Sequence, residues 1–445
     1  MKRTMSRSII ALILAVAFLL GLGFLCYKYV CDSPMWASQT FNAYISSGKG
    51  LACAGTIYDR NGTVLAKSEN GERVYNEDLS VRLATLHSVG DYSYNIATAL
   101  QTTHRAELAG HNRIFGYGLP SSLGFSGDMT LTVDSVVCAK VYDAFGGRNG
   151  ACFVYNYKTG EVLCMVSTPS YDPQNVPEEV PEGAYLNNAI SSTYAPGSIF
   201  KIITTVAAIE YLPDWENITL NCDGEEDFGG DDVTCLEHHG EMDIYEAFAR
   251  SCNIAFADLA AQVGAENMQK TAEKLGITES FNICSVNTAK GVYDVKNATL
   301  NELAWSGIGQ HTDMTNPAQM AILCGAVASE GSAKLPTYIE GVSPKGNAEL
   351  MSKETADIMA EIMRYTVRDY YGDSMFEGLT VGAKTGTAEV GEGKAPNGWI
   401  VGYSEDEDCP LAFAVVVEEG DYGFYSAGPI ARIAMTECAK SLRGE

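Results

Sequence analysis

The longest apolar stretch of the chain comes first. Ile9 to Cys26 is uncharged, and as a helix it is ~27 Å long, close to the ~30 Å hydrocarbon core of a bilayer. Tyr27 and Tyr29 extend it, with Lys28 placed to snorkel to the interface. Lys2, Arg3 and Arg7 precede it, which puts the N-terminus in the cytoplasm. A cleaved signal peptide is the rival reading, but the run is long for one and no small-x-small site follows. Bulky Phe24 and Leu25 argue against a lipoprotein site at Cys26. The pattern predicts a cytoplasmic tail over 1–8, a single-pass transmembrane anchor over 9–30, and an extracytoplasmic remainder.

After a linker over 31–50 the apolar runs shorten. Asn61-Gly62 between two β-rich runs predicts a hairpin, the start of a small pedestal domain within 31–128. His87, His104 and His111 are scattered there and read as surface histidines. A second domain is expected over 129–445. Its first runs, Ala151–Tyr157 and Glu161–Ser167, read as hairpin strands apolar enough to be central in a sheet. Helical patterns follow from Ser198 to about residue 330. Strand patterns return at Leu379–Ala388, Gly398–Tyr403 and Leu411–Val417, and a helix over 428–442 closes the chain. Strands early, helices in the middle and strands late imply an α+β fold: an antiparallel sheet whose first strands pair with its last, flanked by helices, with a helical lobe.

A net charge of −26 offers no basic stripe to neutralise phosphates, which disfavours nucleic acid, and the expectation is no nucleic-acid partner. Thirteen cysteines is an odd number, so disulfides within one chain leave at least one unpaired. Cys138, Cys152, Cys164 and Cys324 have apolar neighbours and read as core thiols. Cys222 and Cys235, in an acidic Gly-rich loop, are the best disulfide candidates. With His238 and His239 they form a conceivable zinc set, but the spacing matches no common pattern. The expectation is no metal, no cofactor and a solvent-facing acidic loop over 223–232.

Candidate chemistry centres on Tyr194-Ala195-Pro196-Gly197-Ser198-Ile199-Phe200-Lys201. If a helix begins near Ser198, the serine and lysine three residues apart share a face. Serine becomes a nucleophile when a base takes its proton, and a buried lysine beside another positive charge can be that base. Two later motifs supply what acyl transfer still lacks. In Ser251-Cys252-Asn253, the Ser251 hydroxyl both donates and accepts, so it can relay a proton. The Asn253 amide can hold a substrate amide and orient Lys201. In Lys384-Thr385-Gly386-Thr387, on an edge-like strand, Lys384 places charge near a substrate carboxylate and helps keep Lys201 neutral. Thr385 and Thr387 add hydroxyl donors, and Gly386 leaves room for close approach of substrate. The backbone N–H groups of Ser198 and Thr387 would form the oxyanion hole.

Ser-x-x-Lys, Ser-x-Asn and Lys-Thr-Gly in this order resemble the signature of penicillin-binding proteins and serine β-lactamases. Further stretches are similar to class B penicillin-binding proteins: Ile57-Tyr58-Asp59-Arg60-Asn61-Gly62, Pro169-Ser170-Tyr171-Asp172-Pro173, Gly309-Gln310 before Thr315-Asn316-Pro317, and Trp399-Ile400-Val401-Gly402-Tyr403. Ala54 and Asn188 depart from the family, which usually has arginine at both places. The resemblance implies that 129–445 is the transpeptidase domain, with Ser198 acylated, Lys201 the base, Ser251 and Asn253 the shuttle and clamp, and Lys384, Thr385, Gly386 and Thr387 the carboxylate site.

It further implies a D,D-transpeptidase that cross-links peptidoglycan stem peptides and is acylated by β-lactam antibiotics. The implied partner is a multi-pass glycan polymerase in the same membrane. Two other classes compete. A D,D-carboxypeptidase or β-lactamase would use water as acceptor, but no glutamate motif for activating water stands out. A non-catalytic penicillin-binding scaffold or sensor would not need every catalytic side chain, and all are present.

Overall fold

The computed structural model describes residues 2–37, 54–112, 127–391 and 393–445. The first helix, α1 (Lys2–Ala37), outruns the expected anchor at both ends. Within it Arg7–Ser33 is the one helix among the described residues long and apolar enough to cross a membrane. Its leucines and isoleucines lie exposed, as lipid-facing side chains would. Most of the expected linker, from residue 38 on, lies outside the described residues.

The Asn61-Gly62 hairpin is present. Strands β1 (Ile57–Tyr58) and β2 (Val64–Glu69) pair antiparallel around it. The Asp59 carboxylate closes the turn by accepting from the N–H groups of Asn61 at 2.9 Å and Thr63 at 2.8 Å. β3 (Glu72–Tyr75) follows, then helix α2 (Leu79–Val89), which Asp78 caps by accepting from Ser80 N–H. A fourth strand, β4 (Met129–Thr130), joins beside β1 in parallel, giving the order β3-β2-β1-β4. The small sheet therefore borrows its last strand from the segment assigned to the second domain.

His87 departs from expectation. It is fully buried, with Nε2 at 3.0 Å from the Ala184 carbonyl. Helix α2 lays its last turn against a cluster containing Leu86, Ile96, Ala99, Tyr171 and Ala184, so a residue that looks isolated in sequence is covered by a loop about a hundred residues on. Burial lowers its pKa to about 4. An unfolded histidine takes up its proton near pH 6.5 and the folded one does not until about pH 4. Between those values the unfolded state binds more protons, so stability falls as pH falls, by up to about 3 kcal/mol. Urea titrations from pH 7 to 4.5 should show that slope, and His87→Gln should flatten it.

Helix α3 (Ser135–Phe145) begins at Asp134, which accepts from the N–H groups of Val136 and Val137. The central sheet opens with β5 (Gly150–Asn156) and β6 (Val162–Thr168). The helical lobe holds α4 (Lys201–Tyr211), α5 (Ile244–Ala249), α6 (Asn253–Val263), α7 (Ala265–Lys274), α8 (Leu300–Gly307) and α9 (Pro317–Ala328). Helix α10 (Lys353–Thr366) leads to β7 (Val381–Ala388), β8 (Asn397–Ser404), β9 (Leu411–Val417) and the closing helix α11 (Gly423–Arg443).

The sheet is antiparallel throughout, in the order β7-β8-β9-β5-β6. Early strands do pair with late ones, at Gly150↔Val417 through Asn156↔Leu411. One expectation fails: β6 is an edge strand, not a central one. Its side chains are still buried because α2 and α3 pack against it, so an apolar run reports covering and not position in the sheet. Both faces of the sheet are covered. Tyr155 lies on one face, against α9, where a Cβ on Gly325 would meet its hydroxyl at 2.2 Å. Cys152, on the other face by the period of two, meets Cys164, which in turn meets Cys138 of α3 and lies near Cys438 of α11. All four expected core thiols are buried.

Candidate active site

Ser198 sits in a 3-10 turn, Gly197–Phe200, that runs directly into α4. In a 3-10 turn residues three apart eclipse, so Ser198 and Lys201 stand on one side more closely aligned than an α-helix would place them. The turn is wedged against β7. Gly197 has a φ of 54°, and a Cβ there would lie 2.3 Å from the Thr387 carbonyl oxygen. From the other side, a Cβ on Gly386 would come within 3.0 Å of the Pro196 carbonyl and of Ile199. Gly386 was expected to admit substrate; the close approach observed is by the nucleophile's own turn.

Lys201 is fully buried and its amine is held by the Ser-x-Asn turn. Nζ donates to the Ser251 carbonyl at 2.6 Å, to Asn253 Oδ1 at 2.8 Å and to Ser251 Oγ at 3.2 Å. Ser251 adopts a φ of 56°, rare outside glycine, and this aims both its carbonyl and its hydroxyl at the lysine. Among the described residues no hydrogen bond joins Lys201 to the Ser198 hydroxyl, which faces the cleft. Asn253 uses its amide NH₂ on the Thr234 carbonyl at 2.9 Å, so orientation of Lys201 is its observed task.

Lys384 is fully buried as well. Its Nζ donates to Ser251 Oγ at 3.0 Å and to the Thr385 carbonyl at 3.0 Å. One hydroxyl therefore sits between two amines. Burial pulls Lys201 down to about 7, against the opposing pull of the Cys252 and Cys235 thiols. Lys384 is pushed well below the usual lysine range, first by burial and then by the charge of Lys201. The repulsion was expected to keep Lys201 neutral. In the free protein it acts on the pair, which resists holding two protons near neutral pH.

A cleft of about 620 Å³ opens over this constellation, lined by Ser198, Ser251, Asn253, Thr385, Gly386 and Thr387 among others. All eight predicted site residues thus converge, six on the cleft wall and the two lysines beneath it.

Residues 150–436 match the penicillin binding protein transpeptidase domain. The chain belongs to that family, and to its class B members. It is 28% identical over 386 residues to the peptidoglycan D,D-transpeptidase PbpA of Mycolicibacterium smegmatis, covering 74% of this chain and 76% of the relative. The Mycobacterium tuberculosis protein of the same name is 27% identical over 410 residues, covering 80% and 82%. In fold, the chain is similar to M. tuberculosis penicillin-binding protein A in its ceftriaxone acyl-enzyme complex, with a TM-score of 0.76 and 24% identity over 88% of this chain and 99% of that one.

Sequence reasoning missed several parts of this penicillin-binding protein's cleft. Tyr371 fixes Thr385: the Tyr371 and Thr385 hydroxyls are 2.8 Å apart, and the tyrosine oxygen accepts from Thr385 N–H at 3.1 Å. Tyr371 lies in a π-helical turn after α10, with no motif around it. The acidic stretch 223–232 is largely exposed, and the residues that follow it, Thr234, Cys235, Leu236, Glu237 and His239, line the cleft. The expected Cys222–Cys235 disulfide is absent, and both are free thiols. Cys222 instead lies with Cys235, His239 and Cys252, the four ligand atoms all within 4.8 Å of one another. His238 is not in that group. The pairing failed because the middle residue of Ser251-Cys252-Asn253, far off in sequence, reaches the same point. Gln310 does line the cleft. Trp399 is core, its indole N–H donating at 3.0 Å to the Ala195 carbonyl just before the nucleophile.

Proposed function

We propose that this penicillin-binding protein is a membrane-anchored D,D-transpeptidase that cross-links peptidoglycan stem peptides and is acylated by β-lactams at Ser198. The observation that carries this reading is the shared hydroxyl of Ser251, within 3.2 Å of the Lys201 amine and 3.0 Å of the Lys384 amine, beside the serine turn. Lys201, when neutral, takes the proton of Ser198. The Ser198 oxygen attacks the carbonyl of the D-Ala-D-Ala bond, and the N–H groups of Ser198 and Thr387 receive the oxyanion. The proton returns through the Ser251 hydroxyl to the leaving D-alanine amine. An amine of a neighbouring stem peptide then takes the acyl group by the reverse sequence. Lys384, Thr385 and Thr387 bind the terminal carboxylate. An arriving carboxylate favours the charged form of Lys384, which restores the cation where it is used. Gly386 keeps the strand close to the serine turn, and Asn253 clamps the substrate amide while orienting Lys201.

The names of the mycobacterial relatives support this reading. The anchor over 9–30 would place residues 1–8 in the cytoplasm and the catalytic domain outside, with 31–128 as linker and pedestal and 129–445 as transpeptidase. A multi-pass glycan polymerase would supply the strands to be joined.

The test uses the full chain in detergent micelles. A fluorescent penicillin should leave a long-lived adduct on the peptide containing Ser198, located by mass spectrometry. A D-Ala-D-Ala stem peptide with an acceptor amine should yield free D-alanine and a cross-linked dimer. Release of D-alanine without dimer would shift the reading to a carboxypeptidase, and rapid loss of the adduct to a β-lactamase.

A further inference from the structure

The loop between α4 and α5 contributes more than a cleft wall. Cys222 ends a short strand, Leu220–Cys222, that pairs with Gly240–Met242. Cys235 follows the strand Val233–Thr234, and His239 lies four positions on. Cys252 caps α6, its sulfur accepting from Ala255 N–H at 3.5 Å. These four side chains come from separate turns, yet their ligand atoms converge within 4.8 Å. The Cys235 sulfur is 3.5 Å from His239 Nδ1 and 3.9 Å from the Cys252 sulfur. Four ligands about 2.0–2.3 Å from one tetrahedral zinc ion stand about 3.3–3.8 Å apart. A disulfide would draw two sulfurs to about 2.05 Å and leave the other two residues without a reason to point inward. Cys222 and Cys252 are buried, while Cys235 and His239 are half-buried, so an ion has an entry path from the cleft side.

We propose that Cys222, Cys235, His239 and Cys252 form a structural Cys₃His zinc site that positions the Ser251-Cys252-Asn253 turn. Three thiolates and an imidazole are a soft donor set suited to zinc, and four protein ligands leave no open position for catalysis. The placement gives the ion a task. Cys252 lies between the two residues that hold the Lys201 amine. Thr234, next to Cys235, accepts from the Asn253 amide. Zinc would staple the 222–239 loop to the turn from both sides, and the left-handed Ser251 conformation is the kind of strain that such a tether can hold.

The full chain, purified in detergent under reducing conditions, should carry one zinc per chain by elemental mass spectrometry. Replacement with cobalt(II) should give the thiolate charge-transfer and tetrahedral ligand-field bands of a three-sulfur site. Neither readout depends on the transpeptidase reading. Cys222→Ser should lose metal, and His239→Cys should keep it. Removing the ion with a chelator should slow penicillin acylation 10- to 100-fold and change its pH profile, and added zinc should restore both. Three results would overturn the proposal: zinc at background in the folded wild-type chain, a Cys235–Cys252 disulfide in peptide maps of chain alkylated before any reductant is added, or an unchanged acylation rate and pH profile after the metal is gone.

Discussion

Lys201→Met is expected to slow acylation of Ser198 by penicillin roughly 10²- to 10⁴-fold, the range that a positioned general base contributes. The wild-type rate should rise with pH through about 7, because burial places the Lys201 amine there and only the neutral amine can accept the serine proton. The sign is set by the base: protonated below that value, the site is silent, and above it the site is open. In the variant the step through pH 7 should vanish. Stopped-flow acylation from pH 5.5 to 8.5 measures both the rate and the step. The methionine strands two acceptors, the Ser251 carbonyl and Asn253 Oδ1, while the Ser251 hydroxyl keeps Lys384, and each costs about 1–3 kcal/mol if left unpaired. It also removes an amine whose burial opposes folding. A melting curve therefore accompanies the rates, and a variant that melts like the wild type yet acylates at its full rate would remove Lys201 from the base role.

How much of this was legible in the sequence follows from what each motif is made of. Ser198 and Lys201 could be placed because their geometry is local: a 3-10 turn between a glycine and an apolar helix is set by eight consecutive residues. The pairing of early with late strands was legible because alternation and length mark a strand wherever it falls. What failed was everything decided by distant covering. β6 reads as central and is an edge, because helices cover it where another strand would. His87 reads as exposed and is buried, because Ala184 comes to it. Cys222 and Cys235 read as a pair and belong to a set of four, because the third thiol lies inside a catalytic motif. Tyr371, which fixes Thr385, had no pattern to announce it at all.

Lys384→Met separates two tasks that the structure places on one amine. The Lys384 amine touches the Ser251 hydroxyl at 3.0 Å, on the proton path, and stands on the strand whose Thr385 and Thr387 line the cleft. If it serves the carboxylate, its loss should cut acylation by a stem peptide ending in free D-alanine by roughly 10²-fold, the size of one to two charge-assisted hydrogen bonds. A stem peptide whose terminal carboxyl is amidated should be slow with the wild type and no slower with the variant. The pH dependence adds a second, independent check. The Lys201 amine is drawn down to about 7 by burial, while the repulsion between the two amines falls on Lys384, so the Lys201 step should stay near pH 7 in the variant. Acylation rates for both peptides across that pH range decide the matter. An equal fall for the acid and the amide would assign Lys384 to the proton path through Ser251 and leave the carboxylate to the Thr385 and Thr387 hydroxyls alone.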